Sequence, residues 1–302
     1  MHILMTPDNP QLYNRKTRNI ESEDAYKSGG LKILYRTPFG KLLTRTVLVR
    51  RGISRLYGRY MKSAKSTGKI TEFINHYNID VSEIKRPIES FTSFNDFFIR
   101  ELKAHARPID TTPSHLISPA DSRLFVFDLA GHPKLPVKGY WYHIEELVKD
   151  PEIADMFRDG WCFIYRLAPN DYHRYAYLDN GHQDKVIRIN GILHSVNPIA
   201  LRETPGVMAR NYRELTLLHT EHFGPVAHIE VGALFVGKIF NRTYGPATFK
   251  RGEEKGWFEF GGSTVIQLFR KDAIRPDQDI LDHTARGIET LVRLGEKTGT
   301  AQ

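Results

Sequence analysis

Cysteine is nearly absent from this chain, and long hydrophobic runs are absent altogether. The only cysteine among the 302 residues, Cys162, cannot form a disulfide within the chain or a paired-thiolate metal site, so we expect no metal. It lies in the apolar segment WCFIYRL, which predicts a small buried residue on a strand. No segment reaches the roughly 18 to 20 uninterrupted apolar residues of a spanning helix. The N-terminal sequence MHILMTPDNP lacks the basic start and apolar core of a signal peptide, so a cytosolic protein is expected.

Acidic residues are missing from a long N-terminal stretch. Residues 25–71, which we call the basic segment, contain 12 Lys or Arg and no Asp or Glu, which leaves 31 of the 43 basic residues against all 35 acidic ones elsewhere. The net charge of +8 therefore comes entirely from this segment. Apolar residues recur between positions 39 and 61 at helical spacing, and such a basic amphipathic helix suits the surface of an anionic bilayer. Packing on the protein's own core is the alternative, and no nucleic-acid-binding motif is present.

Two periodicities divide the chain. From residue 39 to about residue 102 a 3.6-residue period predicts helices at 39–61, 70–77 and 94–102, the last capped by Ser93. From residue 116 onward short β-prone segments alternate with Gly and Pro turns. They predict strands at 123–127, 161–167, 185–189, 226–231, 234–240 and 264–269, with a short helix at 144–149. We therefore expect an α+β protein, with an N-terminal helical region over residues 1–110 and a mainly antiparallel β core over residues 111–302.

A Gly-Gly-Ser-Thr sequence at residues 261–264 precedes a β-prone apolar run near the C-terminus. Most such sequences are ordinary turns. A self-cleavage site is the alternative, because Gly261 and Gly262 permit the backbone geometry in which the Ser263 hydroxyl attacks the preceding carbonyl carbon. After this N→O acyl shift, removal of the Ser263 α-proton splits the chain, leaves a carboxylate at Gly262 and lets the new N-terminus hydrolyse to a pyruvoyl group.

Motifs along the chain favour self-cleavage. They are FNDFFIREL (94–102), ARPID (106–110), SPADSRL (118–124), YRLAPNDYHRY (165–175), SVNPIAL (195–201), ARNYRE (209–214), TEHFGPVAHIEVGALFVGKI (220–239) and EKGWFEFGGSTV (254–265). In this order and at these spacings the sequence resembles the phosphatidylserine decarboxylase family, from about residue 13 to about residue 296. The resemblance implies a carboxy-lyase that makes phosphatidylethanolamine and CO2 from phosphatidylserine. It also implies a covalent pyruvoyl cofactor, formed from Ser263, that binds the substrate amine as a Schiff base.

The resemblance assigns a role to Asp121 and to His173. Asp121 in SPADSRL matches the aspartate of the family's PADG motif, which orients a histidine in an Asp-His-Ser arrangement for self-cleavage. Ser122 replaces the usual glycine, which strains the turn if it requires a positive φ. His173 matches the first histidine of the family pattern DYHRxH, a position associated with the decarboxylation step. Arg100 and Arg107 are assigned either to structure or to phosphate binding.

Ala176 departs from the family pattern. The second histidine of DYHRxH, which accepts the serine proton, would fall at this position. We therefore expect cleavage between Gly262 and Ser263 to be slow or absent, unless His173 acts as the base in its place. His182 and His194 could do so only if the fold brings them near. A deliberately disabled variant of an active parent would also carry such an alanine.

The expected partners follow from the resemblance. They are phosphatidylserine, the anionic cytoplasmic face of the cell membrane, and the chain's own fragments 1–262 and 263–302, with a homodimer as a further candidate. Two other functions stay open. A pyruvoyl decarboxylase of a soluble amino acid would share the reaction centre, although the basic segment argues against it, and an inactive membrane-binding homologue would explain Ala176. A Ser-His-Asp hydrolase is disfavoured because there is no GxSxG motif.

Overall fold

Helices and strands are both abundant in the computed structural model, which describes residues 10–23, 33–44, 48, 51–130, 134–137, 140–204, 206–234, 238–261 and 263–302. The helices are α1 (Pro38–Leu43), α2 (Arg51–Met61), α3 (Lys69–Tyr77), α4 (Phe94–Phe98), α5 (Ile144–Val148), α6 (Pro151–Met156), α7 (Pro198–Glu203), α8 (Val207–Arg210) and α9 (Gln278–Ala285). Single 3-10 turns lie at Ala64–Ser66, Val81–Glu83, Ile88–Ser90 and Ala104–Ala106. The strands are β1 (Gln11–Asn14), β2 (Asn19–Ser22), β3 (His115–Ile117), β4 (Ser122–Asp128), β5 (Lys134–Val137), β6 (Tyr140–His143), β7 (Trp161–Leu167), β8 (Arg174–Ala176), β9 (Gly181–Gln183), β10 (Ile187–Ile189), β11 (Arg213–Thr220), β12 (Gly224–Gly232), β13 (Ile239–Asn241), β14 (Ala247–Phe249), β15 (Glu254–Phe258), β16 (Ser263–Phe269), β17 (Ile274–Pro276), β18 (Glu289–Val292) and β19 (Lys297–Ala301).

A central sheet of eleven strands organises the fold. Its order is β14-β9-β11-β12-β16-β7-β4-β18-β1-β2, with β10 paired to β11. Within the described residues every pair in this sheet is antiparallel apart from β1 with β18. The predicted α+β class with a mainly antiparallel sheet is thus confirmed. Strand β16, which begins at Ser263, lies near the middle of the sheet between β12 and β7.

The register of β16 fixes the surroundings of Ser263. Ser263 lies opposite Gly232 on β12 and opposite Leu167 on β7. Because side chains alternate between the two faces of a strand, Val265 shares the face of Ser263 and Ile266 lies on the other. Val265 and Ile266 accordingly belong to two different hydrophobic cores. Ser263 is therefore buried at the edge of a packed core on one face of the sheet.

A small sheet of order β13-β15-β8 brings two motifs together. Strand β8 carries the RYA part of the DYHRxH pattern and pairs with β15, so that Ala176 lies opposite Glu254. Residues 259–262 then connect β15 to β16. The chain that follows His173 and the chain that leads to Ser263 are therefore hydrogen-bonded neighbours.

An aromatic cluster lies at the centre of the N-terminal helical region. Its core is built from Phe73, Phe94, Phe97 and Phe98, with Phe260 packed against it from the chain before Ser263. Ser93 caps α4 as predicted, since its Oγ accepts a hydrogen bond from Asp96 N at 3.1 Å. The helix is shorter than predicted because Ile99 leaves helical geometry, with φ −90° and ψ 22°. Arg100 is thereby turned into the interior.

The basic segment is helical where it is described. The helix predicted at 39–61 corresponds to α1 and α2, whereas residues 45–47, 49 and 50 lie outside the described residues. Phe39, Leu42, Leu56 and Tyr60 are 75, 61, 65 and 39% exposed, so their apolar surface is not covered by the protein's own core. Among the residues that the structure describes, no helix is long and apolar enough to cross a membrane.

The predicted strands are matched with some shifts. Strand β7 has the predicted bounds and carries Cys162 fully buried. The strand predicted at 234–240 is matched only in part, because the observed strand is Ile239–Asn241 and residues 235–237 lie outside the described residues. Leu234 donates its N–H to the carbonyl oxygen of His194 instead of joining a ladder. The considered strain at Ser122 does not arise, because this residue lies in β4 and has no positive φ.

Candidate active site

Ser263 and His173 meet in the protein interior. Both side chains are fully buried, and Ser263 Oγ lies 3.4 Å from His173 Nδ1, somewhat longer than a usual hydrogen bond. His173 Nε2 lies 3.1 Å from the carbonyl oxygen of Ala168. A carbonyl only accepts, so Nε2 carries the proton and the lone pair of Nδ1 is directed at the serine. This arrangement allows the hydroxyl of Ser263 to donate to the imidazole.

The environment of His173 makes it a weak base. Burial lowers the pKa of His173 to about 3, and the positive charge of Arg100 acts in the same direction. The ring of Phe98 stacks on the imidazole at 4.0 Å between ring centroids. His173 is therefore neutral at physiological pH and can accept a proton, but the imidazolium that results is strongly disfavoured.

Asp121 is held by arginine instead of histidine. Arg107 Nε donates to both carboxylate oxygens at 2.8 and 2.9 Å, Arg107 Nη2 donates at 2.6 Å, and Leu294 N donates at 2.9 Å. Burial alone would lower the pKa of Arg107, but its hydrogen bonds and ion pairs with Asp121 and Glu83 raise it. In the described ranges Asp121 makes no hydrogen bond with Ser263 or His173. The Asp-His-Ser arrangement implied by the resemblance is therefore not assembled in this chain.

Ala176 lies beside the residues that hold Asp121. It lines a cavity of about 190 Å³ together with Arg107 and Leu294, both of which donate hydrogen bonds to Asp121. Its backbone N–H donates to the carbonyl oxygen of Pro119 at 2.9 Å. The alanine methyl leaves this space unfilled, so a histidine at position 176 would have room next to Arg107 and Asp121.

The other two candidate bases lie elsewhere. His182 is on β9, three strands away from β16, and its ring stacks on His219 at 4.6 Å. Strands are about 4.8 Å apart, so this separation is on the order of 14 Å. His194 packs against Tyr35, with 6.4 Å between ring centroids. Among the described residues, the imidazole hydrogen-bonded to Ser263 belongs to His173.

The chain before Ser263 is anchored on α4. Phe260 N donates to Asn95 Oδ1 at 2.9 Å, and the Phe260 ring packs edge-on against Phe94 and Phe98 at 5.1 Å. Gly261 has a φ of 140°, which side-chain-bearing residues rarely adopt. Gly262 lies outside the described residues. Helix α4 therefore supports both the imidazole of His173 and the approach to the predicted cleavage site.

Asp171 and a buried ion cluster position the His173 loop. Asp171 accepts hydrogen bonds from Arg123 and, at 2.7 Å, from Ala168 N. Arg166, opposite Arg123 in the sheet, is bound by Glu289 at 2.8 and 2.6 Å. The cluster fixes the turn whose Ala168 carbonyl sets the tautomer of His173.

Sequence reasoning missed a second buried network on the Ser263 face. Lys255 Nζ on β15 binds Glu230 Oε1 on β12 at 2.5 Å and Asn241 Oδ1 at 2.7 Å. Glu230 lies opposite Val265, the next residue on the same face as Ser263. Burial raises the pKa of Glu230, while the charge of Lys255 opposes the shift. This pair connects β15, which precedes the Gly-Gly sequence, to the central sheet that contains Ser263.

Sequence reasoning left Arg100 between a structural role and phosphate binding. Its side chain is 4% exposed, its Nη2 lies 3.4 Å from the carbonyl oxygen of Asn170, and burial lowers its pKa to about 10. The guanidinium lies 5.0 Å from the centre of the Phe97 ring. The sequence signal for a buried arginine was its position directly after the apolar segment FNDFFI. A charged side chain that follows a buried apolar segment must either be buried with it or turn towards solvent.

Comparison with known proteins identifies the family to which this sequence is similar. The sequence model of the phosphatidylserine decarboxylase family matches residues 94–300. The chain is similar to the phosphatidylserine decarboxylase proenzyme of Clostridium perfringens, with 42% identity over 96% of this chain and 99% of the relative. It is similar to the proenzymes of Clostridium novyi, at 41% identity over 96% of this chain and 99% of the relative, and of Fusobacterium nucleatum, at 41% identity over 96% and 97%.

Proposed function

The chain belongs to the phosphatidylserine decarboxylase family, and from this premise we propose that it is the proenzyme of a phosphatidylserine decarboxylase. This carboxy-lyase converts phosphatidylserine to phosphatidylethanolamine and CO2. The observation that carries the proposal is the contact between Ser263 Oγ and His173 Nδ1 at the start of β16. The two residues belong to the GGST and DYHRxH motifs, which are 90 residues apart in sequence.

Ser263 fits the role of pyruvoyl precursor. It is fully buried, it begins a strand, and it follows a glycine with a φ of 140°, so an attack on the preceding carbonyl meets no Cβ at position 261. A pyruvoyl group at this position supplies a carbonyl that takes up the electron pair left when a bound carboxylate departs as CO2. Residue 263 itself becomes this group when the chain end left by the cleavage takes up water and releases ammonia, and no metal is required for this chemistry.

The self-cleavage uses the chain's own atoms. Ser263 Oγ forms a bond to the Gly262 carbonyl carbon, a base accepts the hydroxyl proton, and the amide nitrogen leaves with a proton to give an ester. Loss of the Ser263 α-proton then breaks the ester bond and releases Gly262 as a carboxylate. His173 is placed to accept the first proton, but its lowered pKa makes the transfer unfavourable. We therefore propose that this Ala176 chain is processed slowly.

The two fragments are expected to stay together after cleavage. Fragment 263–302 contains β16, which is paired on both sides with strands of fragment 1–262. It also contains β18, which pairs with β4 and β1. Cleavage before Ser263 would break one peptide bond and leave these ladders intact. The catalytic core proposed for residues 111–302 would thus persist as a complex of both fragments, with a homodimer as a further assembly.

His173 also has the position needed for the decarboxylation step. Its Nδ1 is the titratable ring atom that faces position 263. We propose that His173 acts in the decarboxylation step from this position, as a neutral imidazole beside the reacting group. Phe98, stacked on the ring, keeps water from this side of the imidazole.

The N-terminal region is proposed as the membrane contact. Phe39, Leu42 and Leu56 expose most of their apolar surface, and Lys41 lies among them on α1. Apolar side chains flanked by cations bind the headgroup boundary of anionic bilayers. We propose that residues 1–110 hold the protein peripherally on the cytoplasmic face of the membrane, where phosphatidylserine is presented.

One experiment separates this function from its rivals. Ala176→His protein is incubated with vesicles containing phosphatidylserine, or with free serine, and CO2 release is measured together with trapping of a protein ketone by a hydrazide. We expect a ketone and CO2 release from the vesicles, with neither in the Ser263→Ala control. A ketone with activity on serine alone would favour the soluble amino-acid decarboxylase. Absence of a ketone would favour the inactive membrane-binding homologue, for which the occupied Asp121 is the supporting observation.

A further inference from the structure

Arg100 is a buried cation with unused hydrogen-bond donors. Only its Nη2 has an acceptor, the carbonyl oxygen of Asn170 at 3.4 Å. Within the described part of the chain, Nε and Nη1 have no hydrogen-bond partner although both atoms are buried. Buried donors are nearly always paired, and a buried charge without compensation is costly. The retention of this guanidinium therefore points to an anion that it binds during the protein's function.

Other buried arginines in the fold are compensated. Arg166 is bound by Glu23 at 2.7 Å and by Glu289 at 2.6 Å. Arg213 donates to four backbone carbonyl oxygens at 2.5 to 2.9 Å. Arg123 is bound by Glu23 at 2.8 Å and by Asp171. Burial of arginine in this protein thus normally comes with acceptors, and Arg100 departs from that rule.

The carboxylates nearest to Arg100 are already engaged. Asp121 and Asp171 both act on its pKa through their charge, yet Asp121 is bound by Arg107 and Asp171 by Arg123. Within the described residues, neither carboxylate accepts a hydrogen bond from Nε or Nη1 of Arg100. The unpaired N–H groups of Arg100 are therefore not part of a direct ion pair with either carboxylate.

Arg100 is buried against the loop that carries His173, since its Nη2 lies 3.4 Å from the carbonyl oxygen of Asn170. Its charge is the largest cause, after burial, of the lowered pKa of His173, whose Nδ1 is 3.4 Å from Ser263 Oγ. It follows α4 by two residues, and α4 carries Asn95, which binds the chain before Ser263 through Phe260 N. Arg100 and the attacking hydroxyl are thus held by one platform.

We propose that Arg100 binds an oxyanion that forms or docks beside Ser263 and stabilises its negative charge. The inference rests on the proposed function, because that function brings anions to this place. One source is the chain itself: the carbonyl of Gly262 becomes an oxyanion when Ser263 attacks it, and a carboxylate when the chain splits. The other is the anionic headgroup of the lipid. A cation on the carboxylate that leaves as CO2 would stabilise the ground state and slow its loss, so the lipid phosphate is the headgroup anion that fits.

The test uses Arg100→Met in the Ala176→His background. Methionine has a similar length and removes the charge and all donors. Cleavage is followed by electrophoresis, and CO2 release from phosphatidylserine vesicles is expressed per hydrazide-reactive ketone. We expect a loss of about 100-fold in one rate or in both, as for removal of an oxyanion donor. Loss of cleavage alone identifies the chain's own oxyanion, loss of turnover alone identifies the headgroup, and loss of both identifies both.

Two controls distinguish this role from a structural one. Arg86→Met removes an arginine that also stacks on an aromatic ring near α4 but is 46% exposed and paired with Asp96, and it should leave both rates unchanged. Thermal unfolding of the uncut chain should show that Arg100→Met does not lower the melting temperature, because an uncompensated buried charge is replaced by an apolar group.

The outcomes that overturn the inference are separate from those that overturn the function. Arg100→Met with parental rates, or with a lowered melting temperature or failure to fold, would assign Arg100 to structure. Arg100→Lys keeps the cation without the planar fork and should recover part of the lost rate; a loss as large as in the methionine variant also contradicts the inference. If Ala176→His itself neither cleaves nor forms a ketone, the proposed function fails first.

Discussion

Ala176→His is expected to accelerate self-cleavage because it supplies a better base than His173. The pKa of His173 falls from the ordinary 6.5 to about 3, which corresponds to a loss of about 5 kcal/mol in proton affinity. Only part of that loss appears in a rate, but a well-placed general base typically contributes 100- to 10,000-fold, so roughly 100-fold is a cautious expectation. The cavity of about 190 Å³ beside Arg107 gives the new imidazole its space.

The assay for this prediction is a time course of purified protein on a denaturing gel. The intact chain should decay into fragments of 262 and 40 residues far faster in Ala176→His than in the parent chain. Ala176→Gln is the matched control, because it fills a similar part of the cavity without a titratable nitrogen. Equal acceleration by glutamine, or rapid and complete cleavage of the parent chain, would refute the reasoning.

Three further predictions concern stability and membrane binding. The pKa of His173 is lowered from 6.5 to about 3, so its contribution to the free energy of unfolding is fully present above pH 6.5 and is lost as the pH falls towards 3. Urea unfolding should therefore show the free energy of unfolding fall by up to about 5 kcal/mol over this range, and this decrease should be absent in His173→Gln. A similar pH slope in both proteins would contradict the burial of a neutral imidazole. Lys255→Met should lower the unfolding free energy by about 3–5 kcal/mol because it leaves Glu230 buried and unpaired, and adding Glu230→Leu should recover most of it; the account of this pair fails if the double variant is no more stable than the single one. Phe39→Asp should weaken co-sedimentation with phosphatidylserine vesicles, while Val81→Asp, at an exposed position outside the basic segment, should not, and equal effects would argue against a localised membrane contact.

The fold was predictable where local patterns agree with tertiary packing. Strand β7 has the predicted bounds because its apolar run is buried on both faces, and the Ser93 cap follows from a local hydrogen bond. Helix α4 ended early because Ile99 leaves helical geometry and turns Arg100 into the interior, which no periodicity reveals. Strand β13 was displaced because Leu234 pairs with a residue 40 positions earlier, a contact that only the tertiary fold determines.

The sequence indicated candidate residues for the site but not the hydrogen bonds and ion pairs that they make. Ser263 and His173 were identified by motif, and the structure brings them within 3.4 Å. The engagement of Asp121 by Arg107 could not be anticipated, since it depends on how the chain bends between the ARPID and SPADSRL motifs. The Lys255–Glu230 pair joins strands of different sheets, so its members share no local pattern. Sequence patterns report residue types within one element, whereas these contacts depend on the packing of several.

The central claim is that Ser263 becomes a ketone at a new chain terminus. The most direct measurement is the intact mass of the Ala176→His protein after incubation, with and without a hydrazide. The account predicts a fragment of residues 263–302 that is lighter by one ammonia than the same peptide beginning with serine, and that gains the mass of one hydrazide less one water when the hydrazone forms. An uncut chain, or a fragment that begins with an unmodified serine and does not react, would contradict it.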